Sequence, residues 1–260
     1  MAGNDLFQTA NAAHRTSEER KVENMGTFNA TKYGIMPCSI TIKVREPGSA
    51  FTHAAALLLM LMGAGPLLMK ASMSGSMLTV FSMWVFILSA CMLYLASTVY
   101  HWVVLDERKT RIMRKIDHIS IPILIAGTYT PVCLTALKGR TGFLLLAAIW
   151  FLAALAIALK ALWVTCPKWL SSSVYLIMGW LCLFAFPVIF KALPLGGFLW
   201  LLSGGILYSA GAVIYAKKFR VFDKNHIYFG SHEIFHCFIM AGTLCHYILM
   251  NNYLVNFINC

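Results

Sequence analysis

The sequence predicts an all-α, polytopic membrane protein: a bundle of seven transmembrane helices with a cytoplasmic N-terminus and an outward C-terminus. Three observations predict it. Of the 260 residues 59% are hydrophobic, mean hydropathy is +0.72, and seven long apolar runs are separated by short charged connections. Soluble domains are roughly 45–50% apolar, and the surface of a soluble fold must be polar. A bilayer removes that demand by acting as solvent for the outer face.

Residues 1–45 are polar and mixed in charge, with no apolar core of a secretory signal peptide. They form a cytoplasmic tail, with a short helix around Ser17–Glu23 and a more apolar surface segment at Tyr33–Ile42. The membrane domain occupies residues 46–260. A spanning helix needs about 20 mostly apolar residues. The runs that meet this are Phe51–Met69, Ala71–Leu105, Ile119–Leu137, Thr141–Leu159, Cys166–Phe190, Ala192–Ala216 and Ile234–Cys260. The second is too long for one span, and its Ser/Gly-rich start Ala71–Met77 reads as a loop before a helix at Leu78–Val103. Pro187 in the fifth run is placed to kink it and widen a cavity.

Orientation follows from Lys and Arg. With the N-terminus inside, the inner side collects 17 of the 21 basic residues and the outer side only Lys70, Lys138, Arg140 and Lys191. That is a strong positive-inside bias. It also accounts for the net charge of +11 without nucleic acid, for which no basic groove interleaved with aromatics exists. The eight cysteines include no CxxC pair, and most sit within apolar runs as small hydrophobes. No disulfide framework or cysteine metal site is expected.

Ionisable residues at membrane depth are functional candidates. The second helix runs inward and ends near His101, the third starts just after Asp117, and the seventh starts inside near Glu233. His101, Asp117, His232 and His236 therefore converge at one depth on the cytoplasmic side. His232 and His236, four apart, share one helix face. With His101 as a third ligand and water in the fourth position, they make a catalytic type of zinc site. Ser97 lies four residues before His101, placed to hydrogen-bond a neighbour or a bound water. Asp117 is placed to orient a histidine or accept a proton. His53, His118 and His226 read as interfacial side chains outside the ligand set. His246, ten residues past His236, is expected to make an interhelical hydrogen bond. His232–His236 also matches H-E-x-x-H, in which Glu is a protease base, although Glu233 lies about 100° round the helix from His232.

Ser97-Thr98-Val99-Tyr100-His101, Arg114-Lys115-Ile116-Asp117-His118, Ile125-Ala126-Gly127-Thr128-Tyr129-Thr130-Pro131 and Ser231-His232-Glu233-Ile234-Phe235-His236, with Phe51-Thr52-His53 and His246, resemble the hemolysin III branch of the progestin and adipoQ receptor family. The resemblance runs from about Glu46 to Tyr247. It implies seven helices and a zinc ion held by His101, His232 and His236, with Asp117 near the zinc-bound water and Ser97 as the second-helix serine. In adiponectin-receptor relatives the residue at the position of Glu233 is similar to glutamine, which argues against Glu233 as a required base. The chain departs from the pattern in a longer N-terminal tail than a typical hemolysin III member, and it lacks the large N-terminal domain of the receptors. Neither hormone sensing nor a soluble pore-forming toxin is implied.

Three functions follow as expectations for a multi-pass protein of the cell membrane whose partners are membrane lipids. The first is a zinc-dependent intramembrane hydrolase of a lipid amide or ester, such as a ceramide, with Asp117 and Ser97 as catalytic residues. The second is a non-enzymatic protein that senses or sets lipid state and in which zinc is structural. The third is an intramembrane metalloprotease. Glu233→Gln abolishes activity only in the protease, and Asp117→Asn abolishes it in the lipid hydrolase.

Overall fold

A computed structural model describes residues 44–137, 139–217 and 230–257. The expected tail, with its Ser17–Glu23 helix and Tyr33–Ile42 segment, lies outside the described residues up to residue 43, as does His226. Among the described residues seven helices are long and apolar enough to cross a membrane: α1 Pro47–Met73, α2 Met77–Trp102, α3 Glu107–Ala136, α4 Arg140–Leu162, α5 Lys168–Ala192, α6 Leu195–Lys217 and α7 Ser231–Asn256.

Local chemistry sets the ends. Pro47 stands in the first turn of α1, where a missing N–H costs nothing and a fixed φ suits the helix. The helix runs through Met73, past the expected end at Met69, and the chain turns at Gly75 with φ +70°, a conformation that glycine adopts without strain. The hydroxyl of Ser76 accepts from the Thr79 N–H at 3.3 Å and caps α2. The expected start of the third span at Ile119 falls short, because α3 begins at Glu107, capped by Asp106, whose carboxylate accepts from Lys109 N at 2.8 Å. Asp117 therefore sits inside a helix rather than before one. Helical hydrogen bonding extends beyond the apolar run there because the cap and Glu107 favour the N-terminal dipole.

Two spans are irregular. α3 ends in a π-helical turn, Val132–Ala136, directly after Pro131. α5 is helical over Lys168–Gly179, passes through a 3₁₀ segment at Leu181–Ala185, and resumes at Phe186–Ala192. Pro187 lies in the first turn of the second half. The span breaks one turn before the proline, since Pro187 has no N–H to bond the preceding turn. Tyr129 of α3 holds the break: its hydroxyl donates to Gly179 O at 2.7 Å and accepts from Cys182 N at 3.0 Å. Backbone groups at membrane depth need such partners.

Each span packs on the next, and α7 closes the ring against α1 as well as α6. Gly127 of α3 lets that helix approach Ser89 of α2, where a Cβ would collide, as small residues do at membrane helix contacts. Ser89, Ser120, Thr128 and Thr130 return their hydroxyl protons to carbonyls of their own helices. The outer face carries exposed Leu58, Met62, Phe143 and Phe184, whereas Ser97, His101, Asp117 and His236 point inward and are buried. The start of α1, the end of α2 and the starts of α3 and α7 share one end of the bundle, and the site forms there.

Candidate metal centre and cavity

His101 on α2 and His232 and His236 on α7 each present a ligand atom, and these atoms lie within 4.8 Å of one another. The group has the geometry to hold a metal ion. His101 and His236 are each 2% exposed, and His101 Nε2 faces His232 Nε2 at 3.3 Å.

α1 determines how these rings are presented. The chain leading into α1 is bonded to the end of α2: Arg45 N donates to Trp102 O at 3.2 Å and Glu46 N to His101 O at 2.9 Å. This sets the Glu46 carboxylate 2.5 Å from His101 Nδ1. A carboxylate only accepts, so His101 Nδ1 carries the proton and Nε2 keeps its lone pair. Thr52 does the same for His236. Its hydroxyl donates to Ser49 O at 2.9 Å, so it accepts from His236 Nδ1 at 3.1 Å, and the lone pair of His236 Nε2 is left available to a metal. His53 stacks on the His236 ring, centroids 3.6 Å apart and planes 11° apart. Burial alone would raise the Glu46 carboxyl. The hydrogen bond from His101 and the Arg45 guanidinium outweigh it and hold the Glu46 carboxyl below its ordinary value.

Glu233 turns away from the cluster. One carboxylate oxygen accepts from Ser49 Oγ at 2.5 Å and the other from Gly230 N at 2.8 Å. It caps α7 and ties it to α1. Asp117, 9% exposed, lies beside Ser97 and within electrostatic reach of His101. Its Oδ2 is 3.5 Å from His118 Nδ1, which donates to Arg114 O. The group of three ligand atoms that lie close together does not include His53 or His118, and His53 is buried rather than interfacial. His246 departs from expectation, because its Nδ1 is buried without a hydrogen-bond partner.

The histidines open on an elongated cavity of about 160 Å³. Ser97, Asp117, His232 and His236 line one end, and Leu124, Val132, Leu145 and Ile189 line the other. The broken stretch of α5 contributes Gly179, Trp180 and Cys182. The wall is mostly apolar, with Ser97, Asp117, His232 and His236 at one end and Thr128, Tyr208, Ser209 and His246 also on it.

The sequence reading missed Glu46, Ser49 and Thr52. A signal existed, since these three recur every third residue just as the first apolar run begins, and such spacing shares a helix face.

Residues 41–247 match the family described as Haemolysin-III related. The chain is 39% identical over 204 residues to the Hemolysin-3 homolog of Bacillus subtilis, covering 78% of this chain and 91% of the relative. It is 35% identical over 198 residues to Hemolysin-3 of Bacillus cereus, covering 76% and 86% respectively. A stretch of 88 residues, 32% of this chain and 26% of the relative, is 35% identical to the ADIPOR-like receptor IZH2 of Saccharomyces cerevisiae. No solved structure matches the chain.

Proposed function

The chain belongs to the haemolysin-III related family, as a multi-pass integral membrane protein of the cell membrane, and from that premise we propose that it is a zinc-dependent intramembrane hydrolase of a lipid amide or ester. The cytoplasmic end of the bundle carries the site, by the charge bias of the loops.

The observation that carries the metal reading is the pair of facing imidazoles. Two nitrogens bound to one tetrahedral zinc at about 2.0–2.1 Å stand about 3.3 Å apart, and His101 Nε2 and His232 Nε2 are separated by 3.3 Å. The Glu46 bond leaves the lone pair of His101 Nε2 pointing into that gap. A third imidazole and no thiolate complete a donor set suited to zinc with one open position. Zinc so held supplies a Lewis acid for a carbonyl and acidifies water toward neutrality.

The chain's own residues supply the rest. Asp117 is the group that takes a proton from the attacking water and returns it to the leaving group. Ser97 hydrogen-bonds at the same point and fixes the carboxylate and the reacting carbonyl. The apolar length of the cavity takes an acyl chain and keeps bulk water from the site. Glu233 has both oxygens engaged in capping and in the α1 contact, which speaks against the metalloprotease reading.

A second reading is favoured by one feature. The ligands come from α2 and α7, and two of them are bonded to α1, so a metal would staple three spans and serve structure alone. The experiment that separates the readings combines metal content by mass spectrometry with fatty-acid release from ceramide and lysophospholipid, on detergent-purified protein. About one zinc per chain, lost in His101→Ala and His232→Ala, with release that stops in Asp117→Asn while zinc is retained, is the hydrolase result. Zinc bound without release from any of these lipids is the structural result. Wild-type protein purified without chelator and free of zinc would refute both.

A further inference from the structure

We propose that the cavity holds a second, deeper polar subsite, formed by His246 and Tyr208, which takes a hydrogen-bonding group (hydroxyl, keto or amide) carried at mid-chain by the lipid. The proposal rests on the reading of the cavity as a lipid-chain site and adds a substrate class to it.

His246 lies ten residues beyond His236 on α7, about 15 Å further along the axis. It is 4% exposed, lines the cavity, and its Nδ1 has no hydrogen-bond partner. Buried polar atoms are nearly always paired, and an unpaired one at membrane depth is costly. The imidazole therefore keeps hydrogen-bonding capacity that the described residues do not use.

Tyr208 on α6 stands opposite, its ring centroid 5.3 Å from that of His246, and it lines the same cavity. Thr243 donates its proton to Ile239 O at 2.9 Å, so at 2.8 Å Tyr208 donates to Thr243 Oγ1. The phenol proton is used, and the phenolic oxygen keeps acceptor capacity. A neutral imidazole offers one N–H and one lone pair. The pair together serves a hydroxyl as donor and acceptor, or a carbonyl through the imidazole N–H.

The two rings are seated in slots. A Cβ at Gly204 would stand 2.5 Å from His246 Nε2, and one at Gly242 would stand 2.5 Å from the Tyr208 ring. Both glycines leave room that these aromatic rings fill. The surrounding wall includes Leu124, Leu201 and Leu202, and the two hydroxyls beside them, Thr128 and Ser209, already give their protons to Leu124 O and Gly205 O. A plain methylene chain crossing this belt leaves the imidazole unserved, whereas a chain with an oxygen function at that depth satisfies it.

The test uses zinc-loaded full-length protein in nanodiscs and equilibrium binding of radiolabelled oleate and ricinoleate, which differ by one mid-chain hydroxyl. Ricinoleate is expected to bind about tenfold tighter than oleate. An oleate analogue with its hydroxyl at the chain terminus is expected to show no such gain. In His246→Leu the preference disappears while oleate binding persists, and in Tyr208→Phe the preference is reduced. The Tyr208→Phe protein and the wild-type comparison decide the matter if His246→Leu does not fold. Equal affinity for oleate and ricinoleate in wild type overturns the subsite and leaves the lipid-chain reading standing. An equal gain from the terminal hydroxyl overturns the mid-chain placement. Failure of all three fatty acids to bind removes the lipid-chain reading and the subsite with it.

Discussion

Glu46 is the residue outside the histidine cluster whose removal most directly tests the metal reading. Its carboxylate meets His101 Nδ1 at 2.5 Å, and its backbone N–H holds the His101 carbonyl at 2.9 Å. Substitution of the side chain leaves that backbone bond in place, so His101 keeps its position and loses only its orienting charge. A carboxylate on the far nitrogen of a metal-bound imidazole fixes the tautomer and raises its basicity, and loss of such a partner costs about 10–100-fold in metal affinity. Glu46→Gln keeps an acceptor of the same shape without the charge. Charge-assisted hydrogen bonds are about twice as strong as neutral ones, which places this variant near the lower bound, about tenfold or roughly 1.4 kcal/mol. Glu46→Ala leaves a donor unpaired on a ring that is 2% exposed and falls nearer the hundredfold bound, about 2.7 kcal/mol. Competition with a calibrated fluorescent chelator on purified protein reads the affinity, and circular dichroism checks that the helices persist. A Glu46→Ala protein that holds zinc as tightly as wild type would refute the orienting role and weaken the choice of His101 as a ligand.

Further outcomes follow from the same geometry. Asp117→Asn should lower lipid hydrolysis by about 10²–10⁴-fold with zinc retained, whereas Glu233→Gln should keep both with little loss of stability, because an amide oxygen still accepts at this capping position; the reverse pattern in activity assays would restore the protease reading. Chelation should lower the melting temperature of wild type, because a ligand bound only to the folded state stabilises it, and should leave His236→Ala unmoved; equal shifts in both would mean that zinc does not bridge the spans. Gly242→Ala should cost about 1–3 kcal/mol through overpacking, since its Cβ would meet Tyr208 at 2.5 Å; an unchanged melting temperature would show that the two helices separate without loss.

The seven spans were legible because length and apolarity alone mark a helix that crosses a bilayer, and α2 falls within one residue of its expected ends at both sides. The convergence of His101, Asp117, His232 and His236 was legible too, since alternation of direction assigns each residue a depth. What alternation cannot give is rotation about each helix axis. Glu233, one residue from His232, faces Ser49 and not the cluster, and that was settled by the way α7 leans on α1. The π turn after Pro131 was hidden for a related reason, whereas the kink expected at Pro187 appears as the break in α5. Pro187 marks where a helix must pause, but Tyr129, fifty residues away from Gly179, supplies the partners that let it pause there.

The least legible part of the site explains why it forms at this end of the bundle. His101 and His232 are 131 positions apart in the chain, and nothing local draws them together. α1 does so by engaging both neighbours at once. Its leading backbone pairs with the last carbonyls of α2, and Ser49 and Thr52 reach Glu233 and His236 on α7. The closure of α7 on α1 and the placing of the histidine cluster therefore share the same contacts, made by Glu46 and the first two turns of α1. A change there that spares every histidine of the cluster, such as Ser49→Ala, should loosen both together. Zinc affinity and melting temperature should fall in parallel, and a loss of either alone would show that ring closure and metal site are independent.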